Sequence, residues 1–326
     1  MMLDTEKQLI KTERENGRCT DVTELGRLVL GMRAASARGE NVMEYARQSE
    51  NALGNTHIST LIAYDLQAGT YIEGARANLE GRERWCGQLA DILNPYITRQ
   101  SSILEVGCGE ATTLAGVLQH LNNSPEDALG FDISWSRCAK GVSWLEENAA
   151  SANLFVADLF EIPMDDSSVD VVYTSHSLEP NGGREEAAIK ELMRVARRSV
   201  VLVEPLYELA DTKSQARMRK HGYVRGLKET AEALGAKVQE YRLLDHVANS
   251  MNPSGLVLIE KSGENAPESS VANGIQWRCP LTHSLLVPNE KGFYSSEAGI
   301  VYPVLAGIPM LRSSHGIVAS AFNGDM

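Results

Sequence analysis

A glycine-rich turn follows an apolar run at Leu104-Glu105-Val106-Gly107-Cys108-Gly109-Glu110-Ala111. Glycines leaving a strand let a ligand come close to backbone amides without meeting a Cβ; a simple tight turn would look the same. An acid, Asp132, closes the next apolar run, 132 − 107 = 25 residues after Gly107. At a strand end its carboxylate could take both hydroxyls of a ribose. A dinucleotide site wants a further glycine where Thr112 stands and its acid ~20 residues on. A phosphate-binding loop needs Gly-Lys-Ser/Thr, which is absent. These residues therefore suit a nucleoside without a pyrophosphate. Farther along, Ser175-His176-Ser177-Leu178-Glu179-Pro180-Asn181 follows another apolar run. His176 could act as a general base near neutral pH, with Glu179 beside it; both could equally be polar loop residues. Glu204, after the run Val200–Val203, either faces a pocket or simply ends a strand.

The elements that must position these residues read as alternating strands and helices. Short strands are expected at Ile103–Val106, Ala128–Phe131, Asn153–Val156, Val169–Thr174, Val200–Val203, Lys237–Leu244 and Gly255–Ile259. Helices are expected after the glycine turn (Leu114, Val117, Leu118, Leu121), over Glu185–Arg198 and over Leu227–Leu234. Such alternation predicts an α/β fold with a mostly parallel sheet and helices on both faces. Before it, Val22, Leu25, Leu28, Val29 and Met32 recur at helical spacing, as do Trp85, Leu89, Ile92 and Leu93 within Ala77–Leu93. Glu50–Tyr71 is mixed in pattern. Residues 262–274 have linker composition, and the segment after them is short-strand-like.

Taken in order, these motifs resemble the class I S-adenosylmethionine-dependent methyltransferases over roughly Tyr64 to Lys261. Glu105-Val106-Gly107-Cys108-Gly109 resembles the glycine motif that holds the methionyl part, with Ala111 in place of its third glycine. Gly130-Phe131-Asp132-Ile133-Ser134 resembles the motif whose acid holds the ribose. Ala157-Asp158-Leu159 resembles the motif whose acid meets the adenine amino group. Ser168–Val172 resembles the fourth strand, and Tyr64-Asp65, Ala68 and Tyr71 match a segment that often closes over the cofactor. The resemblance implies a Rossmann-like sheet of seven strands. It also implies a cofactor set of Tyr71, Glu105, Gly107, Cys108, Gly109, Asp132, Ile133, Ala157, Asp158, Leu159 and Ser175. Substrate chemistry is placed after the fourth strand, giving His176 and Glu179 as candidate catalytic residues and His176, Asn181 and Glu204 as candidate substrate contacts. Related small-molecule enzymes often read Leu-Glu-His there; Pro180 replaces that histidine, and the Asn/Asp-Pro-Pro-Tyr motif of amino-group methylation is missing.

The tail resembles the zinc-ribbon-like tRNA-methyltransferase activator domain through Cys279-Pro280-Leu281, Gly299–Val304 and Gly307–Leu311. That family holds zinc with four cysteines. Here Cys279 alone remains, so no metal is expected. The organisation expected is a helical lid or extension over 1–76, a cofactor-binding domain over 77–261, a linker over 262–274 and a small β-rich module over 275–326. The lid rests on the Val22–Met32 stripe, which needs a surface to cover.

Composition narrows the function classes. Five cysteines, widely spaced and without Cys-x-x-Cys, disfavour a disulfide framework and fit a reducing cytoplasm. No apolar run is long enough to span a bilayer. The net charge is −12, and residues 101–200 carry 7 Lys+Arg against 16 Asp+Glu. Such acidity repels a phosphate backbone, so nucleic acid is not an expected partner. The basic stretch Lys213–Arg225 reads as a solvated helix face or an anion site. The expectation is a transferase using S-adenosylmethionine on a small metabolite or biosynthetic intermediate. Reaction through the aminocarboxypropyl chain, RNA or protein methylation, and a non-catalytic binding module are the alternatives. Oligomerisation is not readable.

Overall fold

A computed structural model describes residues 22–52, 56–247, 249, 251–261, 275–289 and 291–321. The linker expected over 262–274 lies outside the described residues. The chain divides into two compact units, residues 1–70 and 71–326.

In the first unit, helices α1 (Val22–Ala37), α2 (Val42–Glu50) and α3 (His57–Leu66) pack together. Asn41 caps α2 by accepting from the Met43 and Glu44 amides, and Thr56 and Ser59 form a capping box at α3. Two residues of the α1 stripe, Leu28 and Met32, are buried against Ala46, Ile62 and Ala63, while Leu25 stays exposed. The mixed segment 50–71 contains α3, whose start is set by its cap more than by periodicity.

The second unit opens near α4 (Thr70–Ala77) and α5 (Leu79–Leu93). The strands β1 (Ser102–Val106), β2 (Asp127–Asp132), β3 (Asn153–Val156), β4 (Val169–Ser175), β5 (Ala196–Pro205), β6 (Lys237–Leu243) and β7 (Ser254–Glu260) form one sheet, in the order β3-β2-β1-β4-β5-β7-β6. The helices between them are α6 (Thr112–His120), α7 (Trp135–Glu147), α8 (Glu185–Val195), α9 (Thr212–His221) and α10 (Leu227–Ala233). One face is covered by α5, α6 and α7 through Leu89, Leu93, Leu114, Val117 and Trp144. The other takes α8 and α10 through Ile189, Leu192, Val195, Leu227 and Ala231. Strands β1 to β5 run parallel. Strand β7 is antiparallel to both β5 and β6. Among the described residues no helix separates β6 from β7, so the pair folds as a hairpin, which a plain alternating pattern does not show.

Beyond residue 275, β8 (Val287–Asn289), β9 (Gly292–Ser295), β10 (Ile300–Leu305) and β11 (Ile308–Pro309) make a small antiparallel sheet, with β12 (Ile317–Val318) against β10. The module is too small for a core of its own and shares one with the large sheet: Cys279, Leu286, Phe293, Tyr302 and Leu311 are buried in the cluster that holds α8 and α10. It also closes the free edge of β3, where Leu311 N donates to the Val156 carbonyl at 2.8 Å. Among the described residues, no group of three His, Cys, Asp or Glu is placed to hold a metal, and no helix is long and apolar enough to cross a membrane.

Candidate active site

Chain order reverses between β1 and β4, since β2 and β3 lie to one side of β1 and β5 to the other. Ligands of open α/β sheets bind at the carboxyl ends of strands at such a point. The register brings Val106 of β1 beside Phe131 and Thr174, so Gly107, Asp132 and Ser175 emerge together.

The glycine turn is held from three sides. Cys108 N donates to the Phe131 carbonyl at 2.8 Å, and Gly109 N donates to Asp132 Oδ2 at 3.1 Å. Gly107 has φ +68°, and a Cβ there would lie 2.3 Å from the Ser177 Cβ. Glycine is therefore required for close approach of the β4 loop, not only for a ligand. Asp132, 9% exposed, accepts from Ser134 N at 2.9 Å through its other oxygen. Each carboxylate oxygen can accept twice, so capacity for two hydroxyls remains. Burial raises the Asp132 pKa, while the Ser134 and Gly109 amides and Arg137 pull it back.

Behind the turn, Glu105 is buried. Its pKa is pushed up to about 8 by burial, offset in part by Tyr173 and by the Leu114 amide in the first turn of α6. The Tyr173 hydroxyl and Glu105 Oε2 both lack a full hydrogen bond, so the neighbouring phenol closes none of good geometry on that oxygen. Glu105 is thus a buried carboxyl of β1 behind the glycine turn. Tyr71 is half exposed, its ring under the Arg137 guanidinium at 4.6 Å. Glu110 ties α4 to the turn by accepting from Ile72 N at 2.9 Å. Beside Asp132, the edge loop is set by Ala157 N, which donates to the Asp132 carbonyl at 3.2 Å, and by Phe160 N, which donates to Asp158 Oδ1 at 3.0 Å. Ile133 and Leu159 are half-buried neighbours, and the Cys108 side chain is buried.

After β4 a polar network converges. His176 has φ +59°, a conformation that strains a non-glycine residue and persists only where surroundings enforce it. Its Nδ1 lies 2.9 Å from Glu179 Oε2 and its Nε2 2.7 Å from Ser254 Oγ. The Trp85 ring meets it edge-on at 5.6 Å. Asn252 Nδ2 donates to Glu179 Oε2 at 3.2 Å, and Arg217 Nη1 donates to Asn252 Oδ1 at 2.5 Å. Burial alone would lower the His176 pKa; the Glu179 hydrogen bond and the Glu204 and Glu179 charges turn the net shift upward.

Glu204 is fully buried and accepts from the amides of Ser177, Leu178 and Glu179, each at 3.1 Å. Burial raises its pKa to about 7, against the His176 charge and the Leu178 amide. Through these bonds it holds the loop after β4 in place. Asn181 likewise braces the loop, donating to the Ser177 and Leu178 carbonyls. Sequence reading missed Ser177, Ser254, Asn252, Arg217, Trp85 and Glu110. Arg217 stood in the basic stretch, and Ser254 follows a proline at a strand start; neither signal names a partner. An open cavity of about 670 Å³ beside α5 and β6, lined by Arg84, Gln88, Asp91, Glu240 and Arg242, contains none of the site residues.

Residues 103–199 match the family model described as a methyltransferase domain. A comparison with the curated proteins finds no match. Among solved structures, magnesium protoporphyrin IX methyltransferase from Synechocystis PCC 6803 with bound SAH is 15% identical, covering 62% of this chain and 100% of that one at a TM-score of 0.48. The complex of the Haloferax volcanii Trm112 methyltransferase activator with a methyltransferase gives 13%, 59% and 95%, at 0.47. A SAM-dependent methyltransferase from Aquifex aeolicus gives 14%, 52% and 87%, at 0.39. At such identities and TM-scores these likenesses say nothing of substrate or partner. Residues 103–199, from β1 into β5, thus match a methyltransferase domain, with the sequence motifs at the carboxyl ends of those strands.

Proposed function

We propose that the protein transfers a methyl group to a small-molecule acceptor whose proton is taken by His176. The observation that carries this reading is the clamp on the imidazole, with a carboxylate at Nδ1 and a hydroxyl at Nε2. A base oriented by a third group, beside a nucleoside-type site, is the arrangement that proton removal requires.

S-adenosylmethionine fits the strand ends: Asp132 keeps acceptor capacity for the ribose, Asp158 lies on the adjacent loop for adenine, and the Gly107–Gly109 turn offers backbone to the methionyl part. When bound, it supplies a methyl group activated by its sulfonium. The protein must then align the acceptor and remove a proton. In neutral His176, Nδ1–H donates to Glu179 and Nε2 accepts from Ser254. Ser254 Oγ sits 2.7 Å from Nε2, so the acceptor's proton passes through it: Oγ takes that proton as its own moves to Nε2. The resulting imidazolium is stabilised by Glu179 and by the buried Glu204. Arg217, through Asn252, keeps Glu179 in place. Trp85 shields the imidazole edge.

The net charge of −12 supports a small acceptor over a nucleic acid. The test is product analysis with pooled cell metabolites. S-adenosylhomocysteine should accumulate with a methylated product, and His176→Gln should abolish turnover while keeping cofactor affinity. Methylthioadenosine as the product would overturn methyl transfer in favour of the aminocarboxypropyl route.

A further inference from the structure

The C-terminal module reaches the loop assigned to adenine at both of its ends. Met310 bridges Val156 in parallel, and Leu311 N donates to the Val156 carbonyl, two residues before Asp158. At the far end, Arg278 N donates to the Pro163 carbonyl at 3.0 Å, and its guanidinium pairs with Asp165 at 2.5 Å. Trp277 bridges Met164 and packs edge-on against Phe155 at 4.8 Å.

Between these ends stands Arg312, only 6% exposed. Burial lowers its pKa, and the nearby Asp158 and Glu161 carboxylates oppose that shift. A buried guanidinium is tolerated where it is paired. A cover for a sheet edge needs backbone bonds and apolar contacts alone. It has no use for a buried cation beside the acid that would meet the adenine amino group.

We propose that the C-terminal module sets the adenine end of the cofactor site, with Arg312 as the positioning residue that holds Asp158 and Glu161. The proposal rests on the cofactor reading above. It makes the tail part of cofactor recognition, so that a chain lacking it would keep the glycine turn and lose selectivity for adenine.

The test is calorimetric titration of the full chain with S-adenosylhomocysteine and with S-inosylhomocysteine, which carries an oxygen where adenine has its amino group. The unmodified protein should prefer the adenosyl ligand at least tenfold. In Arg312→Met the preference should shrink to within threefold, with adenosyl affinity down at least tenfold and inosyl affinity little changed. Arg312→Lys, which keeps the charge but not the planar fork, should fall between; it also decides the matter if the Met variant does not fold. An unchanged preference in the folded variant, even with both affinities lowered together, would overturn the proposal. No binding of either ligand to the unmodified chain would instead refute the cofactor reading, and the proposal would fall with it.

Discussion

Replacing Glu204 by glutamine separates loop positioning from chemistry. The amide keeps one oxygen, which can retain the Ser177 and Leu178 bonds, but turns an N–H₂ donor toward the Glu179 amide. At pH 5 the Glu204 carboxyl is itself protonated and turns an O–H donor toward an amide, so the exchange changes stability there by less than about 1 kcal/mol. A second term depends on pH. Glu204 has its pKa raised to about 7 in the folded chain, against about 4.3 when unfolded. Between those values the folded state binds a proton that the unfolded state has released. Stability from this group therefore falls as pH rises from about 4.3 to about 7, by roughly 4 kcal/mol in all. Glutamine does not titrate and removes that fall. Urea unfolding should show Glu204→Gln within about 1 kcal/mol of the parent at pH 5 and more stable than the parent by roughly 2–3 kcal/mol at pH 8. The pH–rate profile should move as well. Without the Glu204 charge the His176 pKa drops, so the acid limb of kcat/KM shifts to lower pH. A stability gap that stays constant from pH 5 to pH 8 would refute the reasoning, because Glu204 would then titrate as an ordinary carboxyl.

Glu105→Gln should change stability by less than about 1 kcal/mol at pH 7, since a carboxyl with its pKa near 8 is already neutral there; Glu105→Ala should cost about 2–4 kcal/mol through the cavity it leaves, and an equal loss in both by chemical denaturation would contradict this. Gly107→Ala should cost about 2–4 kcal/mol, from a positive φ and a Cβ placed 2.3 Å from Ser177; a Tm within two degrees of the parent would show that the loop can yield. Protein purified without chelator should carry far less than one zinc per chain by elemental analysis, and EDTA should leave Tm unchanged; stoichiometric zinc, held by residues such as His283 or His315, would contradict this.

The parts of the site written in adjacent residues were legible. Gly107-Cys108-Gly109, Asp132 and Asp158 each end a strand whose apolar run marks them, and the parallel register does the rest. What stayed hidden depends on residues far apart in the chain. Ser254 meets His176 only because β7 inserts between β5 and β6, and a hairpin leaves no helix in the pattern to announce that insertion. Arg217 reads as a solvated face because nothing in its helix names Asn252. Glu204 reads as pocket-lining because its three amide partners lie on the loop of a neighbouring strand. The tail's link to β3 is an edge pairing of two residues, too short to leave a periodic trace. Glycine is legible at position 107, whereas the reason for it, the approach of Ser177, is tertiary.

The measurement closest to the central claim is calorimetric titration with S-adenosylhomocysteine of the parent protein and of Asp132→Ala. The ribose-holding role predicts saturable one-to-one binding by the parent, weakened in the variant by about 1–3 kcal/mol, the usual loss for charge-assisted hydrogen bonds. Equal affinity in the two proteins would contradict the assignment of Asp132, and with it the placement of the nucleoside at the carboxyl ends of β1 and β2.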